Sequence, residues 1–489
     1  MAKVLLINPQ AEIGKKVKGG IAAPLGLLSI GSYVIKRGYS VKIINTILEN
    51  DPMRNVLDET KEAKYIGLSV MTAQITHALI MSEKLKSLGK IIIWGGIHGE
   101  LFPKQTCEDS AIDYVICGEG EATFFELIDS LEKGKSVENI PGLVHKKENK
   151  VIVNPPRKPL PVEAFSDIDY GLLDLERKFK KKRMLEFETS RGCPYRCGFC
   201  IDTIGWRHNW RSLPAETVLN DLEKMKDKYK IEEIIFREEN FFVNQKRAEK
   251  IIEGMIKKGL NIKWSTNIRA EYFKDDYVND EFMTKLKKSG LTSLTFGVES
   301  GSERVRGYMK KGITSEQVFR AVSYCKKHDI HCNITFMVGY PTETKKEIFE
   351  TINMINKIIK IHPDVTIRGP VPFMPLPGAS IYQYCLDCGF KEPKTLREWS
   401  KREFDLLSYF KEYCADSNFL GVDKKDRYLI ENIGKYSTLA TSSWGRIMSF
   451  SPLLILPTLL CKIRWKLKFF RFPIDYKLYK WVTKKLPVY

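Results

Sequence analysis

No stretch of this 489-residue chain reaches the roughly 18–20 consecutive apolar residues that a membrane-spanning helix needs. Eleven cysteines are too few for a disulfide scaffold of this length, and their odd number argues against a fully paired secreted protein. There is no low-complexity segment and no internal repeat, and a 43% apolar and 11% aromatic composition excludes wholesale disorder. Acidic residues are also in short supply. Sixty Asp and Glu against 79 Lys and Arg leave a formal charge of +19, which points to anionic partners: nucleic acid, anionic lipid or a phosphorylated substrate. The opening apolar residues are broken too early, at Pro9, to read as a signal peptide. The expectation is a reduced, cytoplasmic protein of about three domains.

What is present first is an alternation of strands and helices. Residues 4–8 form a short apolar run closed by Asn8-Pro9. After Gly19-Gly20, Pro24 opens a helix whose apolar residues Leu25, Leu28, Ile30, Tyr33 and Val34 lie near helical spacing; Gly38 ends it. Residues 41–44, 65–70, 91–94 and 114–117 read as further strands, with helical stretches such as 73–88 between them. This rhythm predicts an α/β domain over residues 1–150, a doubly wound, Rossmann-like parallel sheet with its ligand site beyond the strands' carboxyl ends. Gly95-Gly96-Ile97-His98 and Gly118-Glu119-Gly120-Glu121 fall at such ends. Glycine there permits close backbone approach to a ligand, and tight strand-to-helix turns account for it equally well. No G-x-G-x-x-G follows the first strand, which disfavours a dinucleotide.

Residues 151–183 read as a linker. Pro155, Pro156, Pro159 and Pro161 precede a basic run at 178–183 that suits a solvated face. A strand at 184–189 then leads into Cys193-Pro194-Tyr195-Arg196-Cys197-Gly198-Phe199-Cys200. Three thiolates so close fill three irons of a cubane cluster and leave the fourth open, as a catalytic site requires. A structural zinc site, with His208 as fourth ligand, is the other reading of this spacing.

The run C-x-x-x-C-x-x-C, with Phe199 before its last cysteine, resembles the motif of the radical S-adenosylmethionine (SAM) enzymes. Strands at 233–236, 263–267, 293–298, 333–338 and 365–370, separated by helices such as 214–229, 246–258 and 343–361, predict a partial (β/α)6 TIM barrel over residues 184–395. The resemblance implies that Cys193, Cys197 and Cys200 ligate a 4Fe–4S cluster. It also implies SAM contacts at the strand ends, from Phe199, Arg237, Glu239, Asn267, Arg269, Glu299, Ser300, Met337 and Gly339. Around Arg237 many members carry Gly-Gly-Glu, which this chain lacks. With that anchor, the first domain resembles the cobalamin-binding domain of the cobalamin-dependent members. The implied contacts are Pro24, Leu25, Ser69, Met71, Thr72, Gly95, Gly96, His98, Gly118, Glu119 and Gly120. No D-x-H-x-x-G follows Asn8-Pro9, which implies cobalt without a protein histidine below it and His98 as a loop or corrin-edge residue.

The implied activity is reductive cleavage of SAM and C-methylation at an unactivated carbon, with methylcobalamin as methyl carrier and an external flavodoxin- or ferredoxin-type electron donor. A cyclase or rearrangement enzyme of the same group, and a zinc-stabilised nucleic-acid-binding protein, are the alternatives. Residues 396–489 read as a mainly helical region. From 444 onward, basic residues interleave with Trp465, Phe469, Phe470, Phe472, Tyr476, Tyr479 and Trp481. Such a mixture suits a docked terminal helix, a surface-lying membrane segment or a clasp on single-stranded nucleic acid. A lipid-like or other small-molecule substrate with peripheral contact at the membrane's inner face is the expectation; nucleic acid is not the expected partner. Cys385-x-x-Cys388 reads as buried or incidental thiols, and His328 and His331 as structural.

Overall fold

The computed structural model describes residues 3–10, 23–49, 51–175, 179, 182–401, 414, 418–441 and 455–485. The Gly19-Gly20 loop, Lys178, Lys180, Lys181 and residues 442–454 of the tail lie outside them. Two compact units form. One comprises Met1–Ser190, Arg211–Ile234 and Pro393–Phe404, the other Arg191–Trp210, Ile235–Glu392 and Asp405–Tyr489.

The first unit holds β1 (Lys3–Asn8), β2 (Ser40–Asn45), β3 (Ala63–Ser69), β4 (Ile91–Gly95), β5 (Tyr114–Ile116), β6 (Leu143–Lys147) and β7 (Lys150–Val153), ordered β2-β1-β3-β4-β5-β6-β7. β1 to β5 pair in parallel, with Leu5 opposite both Lys42 and Ile66. Val4, Leu5, Leu6 and Ile7 are all buried, as a strand covered on both faces must be. Helices Leu25–Ile35, Ile75–Ser87 and Gly120–Glu132 connect the strands. Gly67 lies within β3 because a Cβ there would fall 2.9 Å from the Phe124 ring of one helix and 2.7 Å from Leu6. The chain leaves β1 for β2 on one side and reaches β3 on the other. That reversal opens a crevice at the carboxyl ends of β1 and β3, the doubly wound sheet's ligand position.

The predicted linker begins later than expected. β6 and β7 form an antiparallel hairpin across Glu148 and Asn149, whose φ values of 45° and 62° fit a primed two-residue turn. β7 is an edge strand that buries almost nothing, so its sequence carries no burial signal. Beyond the prolines, Phe165 and Tyr170 are buried, and the Tyr170 hydroxyl donates to the Glu186 carbonyl at 2.6 Å.

The second sheet has six strands in the order Thr366–Pro372, His331–Val338, Leu291–Glu299, Lys263–Ile268, Glu233–Phe236, Met184–Phe187. Chain order and spatial order coincide, as in a partial (β/α) barrel, and the strands from Lys263 onward pair in parallel. Burial alternates strictly along His331–Val338. Cys332, Ile334, Phe336 and Val338 pack inward under the helices, while His331, Asn333, Thr335 and Met337 lie on the half-open face. Ser265, Asn267, Ser293 and Thr295 share the open or half-open state on neighbouring strands, so one face of the sheet is largely polar.

The helix expected at 343–361 starts at Lys345. Thr344 is its N-cap in a reciprocal capping box with Glu347, which frees Glu343 for another role. In the tail, helices Tyr428–Thr441, Ile455–Leu467 and Ile474–Lys485 follow. Pro457 sits in the first turn of the second of these, where a missing N–H breaks no helical bond. Thr344→Ala removes a cap worth about 1 kcal/mol. The expected drop in thermal midpoint is about 2–4 °C, with Thr344→Ser close to the parent, read by circular dichroism.

Candidate active site

Backbone bonds clamp the cysteine loop. Gly192 has φ +82°, and a Cβ there would fall 2.5 Å from the Arg207 carbonyl oxygen. The neighbouring Cys193 N–H donates to that oxygen at 2.9 Å. Gly198 N–H donates to the Met309 carbonyl at 2.8 Å, and the Gly198 carbonyl accepts from Ile381 N–H at 3.1 Å. A Cβ on Gly198 would lie 2.9 Å from the Tyr340 hydroxyl. Both glycines are therefore required for the loop to pass so close to its neighbours.

Around the thiols the chain places one guanidinium. Arg269, at the end of Lys263–Ile268, is buried, with Nη1 3.7 Å from Cys197 Sγ and its Cζ 3.7 Å from the centre of the Tyr195 ring. Arg269 Nη2 donates to Glu271 Oε2 at 2.7 Å and to the Lys311 carbonyl. The Tyr195 and Tyr272 hydroxyls bond at 2.8 Å, and Asn240 Nδ2 donates to Tyr272 at 2.9 Å. Burial pushes the Cys193 thiol up, and burial with the Asp202 carboxylate alongside does the same to Cys200. Bare thiolates are thus disfavoured at these two positions, a penalty that a coordinating metal removes. All three thiols are free of disulfides, so the donor set fits a cluster. Among the described residues no three Cys, His, Asp or Glu side chains converge on one ion. Thiolates on separate corners of a cubane need no such convergence.

The other strand-end residues divide into open and buried. Arg237, Glu239 and Asn267 are exposed, with Asn267 Nδ2 donating to the Glu238 carbonyl at 2.9 Å, and the Glu239 charge is felt at both Cys193 and Cys200. Phe199 is half-buried, with Lys311 Nζ 5.8 Å from its ring centre. Glu299 occupies a register shift between its strand and His331–Val338, with φ +73°. Its carboxylate meets Lys311 Nζ at 3.5 Å and accepts from Thr335 Oγ1 at 3.3 Å; burial holds its carboxyl above the ordinary range. A Cβ on Gly297 would lie 2.4 Å from Glu299 Oε1, so this glycine makes room for the pair. Met337 is half-buried, whereas Ser300 is fully buried and donates toward Glu343 Oε1 at 3.5 Å. Gly339 N–H donates to Glu343 Oε2 at 2.6 Å. Lys311, Thr335 and Glu343 were not read from the sequence; their signal is long-range pairing, which no local pattern carries.

In the first unit, the expected cofactor residues line the carboxyl ends of β1, β3, β4 and β5. Pro24 and Leu25 start the helix after β1 and are half-buried; Ser69 and Thr72 are half-buried and Met71 is 53% exposed. The glycines separate by cause. A Cβ on Gly96 would strike Val70 N at 2.6 Å, and one on Gly120 the Ile30 side chain at 2.8 Å, so their own packing requires them. Gly118, with φ +78°, has no atom within 4 Å of a Cβ position, and Gly95 only the Ile116 carbonyl oxygen at 3.8 Å. These leave backbone uncovered at the carboxyl ends of β4 and β5, the kind of room a planar macrocycle would need. Glu119 accepts from Leu160 N–H at 3.2 Å and pairs with Arg211. His98 lies away from the open loop surface: it is fully buried against Phe102 and Trp399, and burial depresses its imidazole to about 3. Sequence reading missed the polar group at the crevice. Asn8 Nδ2 donates to Asn45 Oδ1 at 2.9 Å, Gln74 Nε2 to Asn8 Oδ1 at 3.2 Å, and buried His77 Nδ1 lies 3.4 Å from Gln10 Nε2. The residues present fit a cobalamin.

Residues 187–355 match the radical SAM superfamily and residues 14–128 the B12 binding domain. An uncharacterized methyltransferase of Pyrococcus horikoshii is 31% identical over 393 residues, 78% of this chain and 83% of that protein. The chain belongs to the cobalamin-dependent radical SAM enzymes. The family brings a 4Fe–4S cluster, SAM and cobalamin, which sets aside the zinc-stabilised nucleic-acid-binding alternative. A further relative is the anaerobic magnesium-protoporphyrin IX monomethyl ester cyclase of Rubrivivax gelatinosus, 26% identical over 72% of this chain and 65% of that protein. The fold is shared with the radical SAM methyltransferase TsrM of Kitasatospora setae, with TM-score 0.68, 18% identity and coverage of 80% of this chain and 78% of that one. It is also shared with the radical enzyme OxsB, with TM-score 0.72, 20% identity and coverage of 95% and 72%.

Glu343 titrates in a testable way. It is fully buried, and burial pushes its carboxyl up to about 8 from an ordinary 4.5. Its contribution to stability is therefore complete below the ordinary value and lost as pH rises through about 8, because the unfolded chain ionises first. Glu343→Gln cannot ionise. Its urea midpoint is expected to rise relative to the parent between about pH 5 and pH 8.

Proposed function

We propose that this enzyme installs a methyl group on an unactivated carbon of a hydrophobic or lipid-like small molecule. The carrying observation is the clamped Cys193–Cys200 loop, with the Arg269 guanidinium against Cys197. Cys193, Cys197 and Cys200 hold the cluster. A bound cluster would supply the electron for reductive cleavage of SAM, with methionine leaving, and a bound cobalamin would supply the methyl group.

The chain's own residues bind, orient and shield. Arg269 sets a fixed positive charge beside electron-rich sulfur, and the Tyr195 ring beneath it limits the water that would screen that charge. Arg237, Glu239 and Asn267 are open at the strand ends and suit the charged and polar groups of SAM. Glu299, held by Lys311 and Thr335, offers a second fixed polar group, while Ser300 and Glu343 brace the Gly339 turn. In the other unit Gly95, Gly118 and Met71 present open surface to cobalamin. Within this reading the first domain, extended to Val153 by its edge strand, binds cobalamin, the stretch from 154 to 183 links, 184–395 carry the radical chemistry, and 396–489 form a helical basic and aromatic region. An external flavodoxin- or ferredoxin-type protein delivers the electron. No described helix is long and apolar enough to cross a membrane.

A second reading is cyclisation without methyl transfer, supported by the likeness to the Rubrivivax gelatinosus cyclase. The test is anaerobic, reconstituted enzyme with methyl-labelled SAM, cobalamin, strong reductant and a host lipid extract. The expected result is 5′-deoxyadenosine together with label in a lipid-soluble product. Cys197→Ala is expected to lower both to background. Release of 5′-deoxyadenosine with an unlabelled product favours cyclisation, and its complete absence overturns the radical route.

A further inference from the structure

Nineteen large apolar side chains are exposed among the described residues, and ten of them lie between Ile455 and Leu478. On helix Ile455–Leu467 they share one face. At about 100° per residue, Leu456, Leu459, Leu460, Ile463 and Leu467 fall within an arc of about 100°. The opposite face is held down. Pro457, Thr458, Cys461 and Trp465 are buried, and Trp465 Nε1 donates to Asn356 Oδ1 at 2.9 Å. After the helix, Asn432 Nδ2 donates to the Phe470 carbonyl at 3.0 Å, and Phe469, Phe472 and Ile474 stand exposed. The apolar stripe is thus a fixed feature of a docked helix.

Charge decides what covers it. Residues 455–485 contain nine Lys and Arg against one acid, Asp475. That acid is buried, 3.0 Å from Arg464 and 2.9 Å from the Tyr436 hydroxyl, so it subtracts little from the surface potential. A second copy of the chain would bring the same positive charge to the same face and be repelled. A helix of 13 residues spans about 20 Å, short of the roughly 30 Å hydrocarbon core, so it lies on a bilayer. We infer that the outer face of Ile455–Leu467, with Phe469, Phe472 and Ile474, docks on an anionic lipid bilayer, apolar side chains inserted and the exposed Lys466 at the headgroups. This inference stands on the helix face and not on the methylation reading.

The test floats the full-length, cofactor-loaded enzyme anaerobically with phosphatidylcholine vesicles, with and without phosphatidylglycerol. The expected result is flotation with the phosphatidylglycerol vesicles and less of it as salt rises. Leu460→Asp with Ile463→Asp is expected to lower partitioning more than about tenfold, and Lys466→Gln about fivefold. Melting temperature and 5′-deoxyadenosine release, unchanged in these variants, show that the fold and the radical site are intact. Equal recovery of the parent protein in the soluble fraction overturns the inference. So does a dimer that Leu460→Asp dissociates, or retention on single-stranded RNA in place of vesicles. None of these outcomes touches the labelling experiment, so the two proposals fail separately.

Discussion

Three thiols can serve one cofactor only if the short loop carrying them is held open against its own tendency to collapse. Here the restraint comes from the backbone. Cys193 N–H, Gly198 N–H and the Gly198 carbonyl are tied to three separate segments, and Gly192 and Gly198 sit where any side chain would strike Arg207 or Tyr340. Remove that backbone fit and the Arg269 guanidinium loses its place over Tyr195 and beside Cys197. The site chemistry depends on this clamp more than on any single charge.

The same logic runs through both units. Each places parallel strands so that their carboxyl ends carry the polar and glycine-bearing turns. In the first unit the crevice arises from the chain reversal between β1 and β3, and Asn8, Asn45 and Gln74 order its floor. In the second, the polar alternation of His331–Val338 and its neighbours leaves one sheet face suited to a polar or amphiphilic occupant. A strand segment buried on both sides is apolar throughout, as β1 is from Val4 to Ile7.

Much of this was legible in the sequence. The five parallel strands of the first sheet, the six of the second sheet and the helices between them follow from apolar runs and their glycine and proline stops. The cysteine spacing by itself points to the cluster. Three things were not legible. The β6–β7 hairpin has an exposed edge strand and a Glu148-Asn149 turn, and neither marks itself locally. Glu343 reads as a helix residue until Thr344 is seen to cap the helix and leave the carboxyl buried on Gly339. His98, beside two glycines, reads as a loop or corrin-edge residue, and its full burial against the distant Trp399 carries no local signal. Each miss involves a partner far away in the chain, which periodicity cannot supply.

The central claim is that these three cysteines leave one iron free for SAM. Electron paramagnetic resonance of the anaerobically reduced enzyme, before and after addition of SAM, tests it most directly. The account predicts a 4Fe–4S signal that is lost in Cys197→Ala and whose g-values move when SAM binds. A signal indifferent to SAM, or a reconstituted protein with no such cluster, would contradict it.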